Sequence, residues 1–157
     1  MEDGLAGRLT PDGHELFVRV YFEDTDFSGV VYHARYLHFL ERGRSDFLRL
    51  KGIGHRALSA GDFGAPMAFA VRHMDIDFLR SARIDDVLLV STVTRSLGGA
   101  RILLDQTVSR DGETLLTAKV KVAVISPEGR PMRMPRAVSD ALVDAEPSGL
   151  DKKGGAS

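Results

Sequence analysis

Three carboxylates, Glu23, Asp24 and Asp26, fall within four residues, just ahead of Ser28, Gly29, Val30 and Val31. Tyr32 and His33 follow, and helix-period residues begin there. The start of a helix carries unpaired N–H groups and a partial positive charge. Such amides can polarise a carbonyl and hold an oxyanion. A carboxylate beside them can attack the carbonyl carbon or take a proton from water. Acyl transfer needs both parts, and residues 24–33 could supply both. The plainer reading is that an Asp ahead of a helix caps it, which contributes about 0.5–2 kcal/mol. Spacing alone favours that reading, with Asp26 and Ser28 as cap types. On the same ground His33 is a hydrogen-bonded structural residue before it is a catalyst. Glu23 and Asp24 are either solvated or raise the pKa of Asp26 by like charge.

The elements that must position these groups follow from periodicity. Leu16–Phe22 is short, apolar and β-branched, so it reads as a strand. From Tyr32 to Leu50 the residues Tyr36, Leu40, Gly43, Phe47 and Leu50 form one helical stripe. Lys51-Gly52-Ile53-Gly54 ends it. Gly43 on that stripe predicts a close approach of helix and sheet. The period then becomes two. Met74, Ile76 and Phe78 alternate with His73, Asp75 and Asp77 in a strand over 71–79. Strands follow at 87–94, 101–108 and 116–124, with hairpin turns at Gly98-Gly99 and Asp111-Gly112. An antiparallel sheet with one apolar face needs a cover, and only the 32–50 helix is long enough. The prediction is an α+β fold, a sheet wrapped around one helix. Residues 1–15 read as a loose leader, 16–144 as a single domain and 145–157 as a disordered tail.

Composition removes several function classes. The 157 residues carry a formal net charge of -1, against a general nucleic-acid binder. There is no cysteine, so disulfides, thiolate zinc sites and a thiol nucleophile are excluded. No apolar run reaches the roughly 18 residues of a membrane-spanning helix, and no secretory leader is visible, which predicts a cytoplasmic protein. His33 and His38 lack an H-E-x-x-H context, so no metal site is expected. Gly-x-Ser-x-Gly, phosphate-loop and dinucleotide motifs are absent. His14, His55 and His73 read as solvent-facing or structural.

The ordered string Glu23-Asp-Thr-Asp26, Gly29-Val-Val-Tyr-His33, Tyr36 and Glu41-Arg42-x-Arg44 resembles the signature of the YbgC-type acyl-CoA thioesterases. These form part of the 4-hydroxybenzoyl-CoA thioesterase branch of the hotdog superfamily. Asp75-x-Asp77-Phe-Leu-x-x-Ala82-Arg-x-Asp85-Asp86 and Pro135-Arg136 extend the likeness to about residues 17–142. The resemblance implies a hotdog fold and hydrolysis of acyl-CoA, or of the acyl carrier protein thioester. It implies Asp26 as the catalytic carboxylate, nucleophile or general base, with His33 beside it. The amides near Tyr32 and His33 would hold the thioester carbonyl, and Gly29, Val30 and Val31 would border the substrate. The family often has Tyr where Phe22 stands, so a hydroxyl is missing here. Glu41 reads first as a structural partner of Arg42 or Arg44, and second as a catalytic acid. CoA phosphates need cations, for which Arg95, Arg101, Arg133 and Arg136 are the candidates, surface solubilisers otherwise. No cofactor is expected beyond the CoA of the substrate. A homo-oligomer, dimer or tetramer, is implied, with residues 64–67 reaching a neighbour's site. A hotdog hydratase or dehydratase and a non-catalytic acyl-thioester binder are the alternatives.

Overall fold

The computed structural model describes residues 7–143. Strands β1 (Arg8–Thr10) and β2 (Gly13–Arg19) come first, then helix α1 (His33–Leu50) and a short α2 (His55–Ser59). Strands β3 (Ala68–Phe78), β4 (Val87–Gly98), β5 (Arg101–Arg110) and β6 (Glu113–Ile125) follow, and α3 (Arg136–Val143) closes the described chain. The strands form one antiparallel sheet in the order β1-β2-β4-β5-β6-β3. The sheet curls around α1, as the sequence pattern predicts. Among the described residues no helix is long and apolar enough to cross a membrane.

The core lies between α1 and the inner face of the sheet. Tyr36, Phe39, Leu40, Phe47 and Leu48 on the helix meet Leu88, Val90, Ile102, Leu104, Val120 and Val122, all buried. Gly43 sits at the closest approach, where an added Cβ would lie 2.8 Å from Val90 Cγ1. The alternation in β3 holds after a bulge between Val71 and His73. Met74 and Ile76 pack against the core while His73, Asp75 and Asp77 face out, and Phe78 at the strand end stays 46% exposed.

Two expectations are corrected here. The leader is not loose over residues 7–15, because β1 and the start of β2 occupy residues 8–10 and 13–15, while residues 1–6 lie outside the described residues. His14 is the reason: its ring is buried, and its Nε2 lies 2.7 Å from Asp46 Oδ2 on α1. The Gly7 amide donates to the same oxygen at 2.7 Å. The first long strand is therefore Gly13–Arg19, and Phe22–Asp24 forms a 3-10 turn instead of a strand end. The tail from residue 145 and the domain edge at 144 lie outside the described residues.

The sheet has two ends that matter for function. The loop from Val20 to Tyr32 hangs at the end where β4 begins, since the Val20 amide donates to Asp86 O at 2.8 Å. Phe78 at the end of β3 lies at that same end, paired with Leu116. The Gly98–Arg101 turn and the start of β3 lie at the other end. Along β4 the two ends are about 36 Å apart, at roughly 3.3 Å per residue.

Candidate active site

The Asp26 loop is a small hairpin. Thr25 bridges Val31, and Val30 bridges Arg83. The Asp26 amide donates to Val30 O at 2.9 Å, and the Gly29 amide to Asp26 O at 3.0 Å. Gly29 closes the turn at φ +89, a region that favours glycine. The carboxylate has its own partner. Ser28 donates to Asp26 Oδ1 twice, from its hydroxyl at 2.6 Å and its amide at 2.8 Å. These bonds stabilise the charged form, and the Ser28 hydroxyl is the main reason the Asp26 pKa lies below the ordinary carboxylate value. Asp26 is therefore ionised at neutral pH, ready to act as base or nucleophile. The like-charge elevation considered from the sequence is not the outcome.

Neither acid caps α1. The N-cap is Tyr32, in extended backbone with no side-chain cap. Asp24 is spent elsewhere: its Oδ2 accepts the Tyr21 amide at 2.8 Å, and Arg35 Nε stands 3.5 Å from its Oδ1. The Tyr32 amide also differs from expectation, because it donates to Asp24 O at 3.0 Å and is unavailable to a ligand. Among the described residues, the amides of His33 and Ala34 have no partner. They are the free donors at the helix start. Val31 is buried, with its amide on Ala82 O at 2.9 Å, so it holds the loop in place. The Ala82 amide in turn donates to the Tyr36 hydroxyl at 2.9 Å, tying helix, loop and the 79–86 segment together.

The rim of this end is aromatic and open. Tyr21, Phe22, Phe27 and Tyr32 are all more than half exposed. The His33 ring is exposed and leans against Phe78, centroids 4.6 Å apart and planes tilted by 57°. Phe22 puts an apolar edge on the loop where a hydroxyl was the family expectation.

The four candidate arginines do not gather at Asp26 in one chain. Arg95 is held by Asp105, its Nε 2.7 Å from Oδ2, which removes it as a free cation. Arg101, Arg133 and Arg136 are exposed at the opposite end of the sheet. The Met134 amide donates to Gly99 O at 3.1 Å, which seats the 133–136 segment beside the turn that carries Arg101. A cavity of about 220 Å³ opens at that half of the molecule, between α1 and strands β3, β5 and β6. Its polar wall is Glu41, Arg44, Ser45 and His55. Glu41 accepts the Ser45 hydroxyl at 2.6 Å and pairs with neither Arg42 nor Arg44. Sequence reasoning missed Ser28 as a site residue, although the Asp-x-Ser spacing of a local side-chain turn was visible. It also missed Ala34, Phe78 and His55, which only the fold brings in. Among the described residues no group of His, Asp and Glu could hold a metal ion.

Comparison with known proteins adds to this geometry. A family model described as the thioesterase superfamily matches residues 28–117. The chain is 40% identical over 135 residues to the acyl-CoA thioesterase YbgC of Haemophilus influenzae, covering 85% of this chain and 97% of that one. A probable thioesterase from Bartonella henselae superposes with a TM-score of 0.76 at 50% identity, covering 78% of this chain and 99% of that one. A 1,4-dihydroxy-2-naphthoyl-CoA thioesterase from Synechocystis superposes with a TM-score of 0.73 at 26% identity, covering 83% and 95%.

Proposed function

Because the chain belongs to the thioesterase superfamily, among the YbgC-type acyl-CoA thioesterases with their hotdog fold, it is a thioester hydrolase, and we propose that Asp26 performs its hydrolysis of acyl-CoA. The observation that carries this reading is the pairing of two parts. Asp26 is a carboxylate charged at neutral pH, its charged form further favoured by Ser28, and the start of α1 leaves the amides of His33 and Ala34 free. The amides receive the thioester oxygen as it gains charge. Asp26 either attacks the carbonyl carbon or takes a proton from an attacking water. On both routes the C–S bond breaks, water supplies the hydroxyl of the free acid, and CoA leaves as the thiol. His33, the first residue of α1, carries the proton toward the leaving sulfur.

One chain supplies only half of a site. Strand β3 is a sheet edge, and edges invite pairing. Two copies joined antiparallel along β3 would set Phe78 of one opposite Ala68 of the other. The Asp26 end of one copy would then meet the end of the second that bears the cavity, residues 64–67 and the cluster of Arg101, Arg133 and Arg136. That arrangement covers the aromatic rim and brings cations to the CoA phosphates. We therefore assign the working enzyme as a homo-oligomer built on this dimer, a tetramer being its doubling. The same reading places it in the cytoplasm, where acyl-CoA and acyl carrier protein thioesters are made.

The test is a panel of acyl-CoAs with detection of free thiol. Thiol release supports hydrolysis. An enoyl or hydroxyacyl product without thiol favours a hydratase, and binding without turnover favours a carrier module.

A further inference from the structure

The hairpin that carries Asp26 ends in an aromatic ring in water. Phe27 is 104% exposed, the most open large apolar side chain among the described residues. Turn tips favour small polar residues, so the turn itself has no need of a Phe. The hairpin cannot yield to hide the ring, because bonds among Asp26, Ser28, Gly29 and Val30 close it. Arg83 lies alongside. Its backbone bridges Val30, and its amide donates to Asp86 Oδ2 at 2.8 Å. Its Nη1 stands 3.9 Å from where a Cβ on Gly29 would lie. Among the described residues the exposed guanidinium has no ion pair and no hydrogen bond. Asp86 is taken by Arg110 Nη1 at 2.7 Å.

A matching surface lies at the other end of β3. The loop after α2 is tied down: the amides of Gly61 and Met67 both donate to Leu58 O at 3.1 Å, and Leu58 is fully buried. The Gly64 amide closes the loop on Gly61 O at 3.1 Å. Ala65 and Pro66 are exposed, an apolar step without cover. Asp62 is exposed on the same loop, its carboxylate without an ion pair or hydrogen bond among the described residues. One end of the chain thus offers a bare ring and a free cation, and the other a bare proline and a free carboxylate. Within one chain β3 keeps them about 33 Å apart, at roughly 3.3 Å per residue. Pairing of two β3 edges brings them together. With Phe78 of one copy opposite Ala68 of the other, the register continued past the strand ends sets Arg83 level with Phe63 of the second copy, beside its Asp62.

We propose that the Asp26 hairpin docks on the 61–67 loop of a second copy, with Phe27 against Ala65 and Pro66 and Arg83 paired with Asp62. A two-fold axis makes the contact twice. An aromatic anchor with a charge pair at its rim has the composition of a strong interface point. Hairpin and carboxylate form one unit, so the loop of the second copy also sets where Asp26 stands over the substrate. Phe27, Arg83, Asp62 and Pro66 are therefore positioning residues, and assembly brings Asp26 into register for turnover. The inference rests on the dimer and the thioester hydrolysis proposed above.

The experiment follows sedimentation velocity and thiol release from an acyl-CoA over a range of protein concentration, for the full chain and for Phe27→Ser, Arg83→Glu and Asp62→Arg. Losing the ring from both contacts should weaken the dimer about 10³-fold, at roughly 30-fold for each anchor. Each charge reversal alone sets like charges face to face twice and should weaken it at least about 10-fold. Turnover per chain should fall on dilution in parallel. The decisive sample is an equimolar mixture of Arg83→Glu and Asp62→Arg chains. Its mixed dimer holds one native pair and one reversed pair, both attractive, so mixing should restore association and turnover to within about threefold of the unaltered protein. Both reversals in one chain should do the same. A folding defect in either single variant would not be repaired by mixing. Single variants that associate as tightly as the unaltered protein overturn the inference and leave hydrolysis standing, and so does a mixture no better than its parts. A chain that stays monomeric at every concentration while releasing thiol overturns the docking and the dimer together. If no acyl-CoA is hydrolysed, the hydrolysis reading falls, and sedimentation of the mixture still decides the docking.

Discussion

Replacing Gly43 with Ala tests how α1 is seated, and the structure sets the size of the effect. An Ala at this helical position gains about 1 kcal/mol in backbone terms relative to Gly. Against that, its Cβ would stand 2.8 Å from Val90 Cγ1 and 3.4 Å from both Gln106 Nε2 and Thr92 Oγ1. Val90 is fully buried and β-branched, so it has no cheap rotamer to retreat into. Gln106 and Thr92 bond each other and cannot part without loss. Overpacking of this kind costs about 1–3 kcal/mol. The collision offsets the propensity gain, for a net loss of up to about 2 kcal/mol. For a domain of this size that lowers Tm by up to about 8 °C. Urea unfolding and thermal melts read it directly. A double variant, Gly43→Ala with Val90→Ala, should cost less than the sum of its single changes, because shortening Val90 makes room for the new methyl. A Tm for Gly43→Ala above that of the unaltered protein would refute the reasoning.

Two further outcomes follow from titratable groups. Burial holds the His14 pKa below 6.5 despite the bond to Asp46, so its neutral form is favoured in the folded state. The stability this lends is complete above pH about 6.5 and is lost as pH falls from there toward the folded pKa, at up to about 1.4 kcal/mol per pH unit. Urea midpoints should decline across that window, and His14→Gln should flatten the decline. Ser28→Ala removes the hydroxyl that most lowers the Asp26 pKa. The acid limb of the pH–rate profile should therefore move to higher pH, with the neutral plateau reduced less than by any change at Asp26 itself. An unmoved acid limb would detach Ser28 from the chemistry.

Much of the frame was legible because it depends on local periods. The stripe through Tyr36, Leu40 and Phe47 predicts α1, and the alternation predicts that Met74 and Ile76 face the core, though Phe78 at the strand end stays exposed. What escaped needed contacts remote in sequence. Gly7–His14 reads as polar leader until Asp46, on α1, supplies a partner for the buried ring. Arg95 looks like a phosphate ligand until the β4–β5 pairing delivers Asp105 to it. The Tyr32 amide looks free until the chain folds the Asp24 carbonyl over it. The motif therefore pointed to the helix-start segment, and one of the donors it offered, the Tyr32 amide, is already bonded to Asp24 O. It also could not say that the arginine cluster and the cavity lie at the far end of the same chain, since that is a fact of strand order.

The most direct measurement is turnover by Asp26→Asn on an acyl-CoA that the unaltered enzyme hydrolyses. Asparagine can still accept the Ser28 amide through its side-chain carbonyl, so the loop and the melting temperature should be retained. Loss of the carboxylate should lower kcat by about 10²–10⁴-fold, the scale of positioned acid–base assistance. A folded Asp26→Asn enzyme working within a few-fold of the unaltered rate would contradict the assignment of the chemistry to this residue.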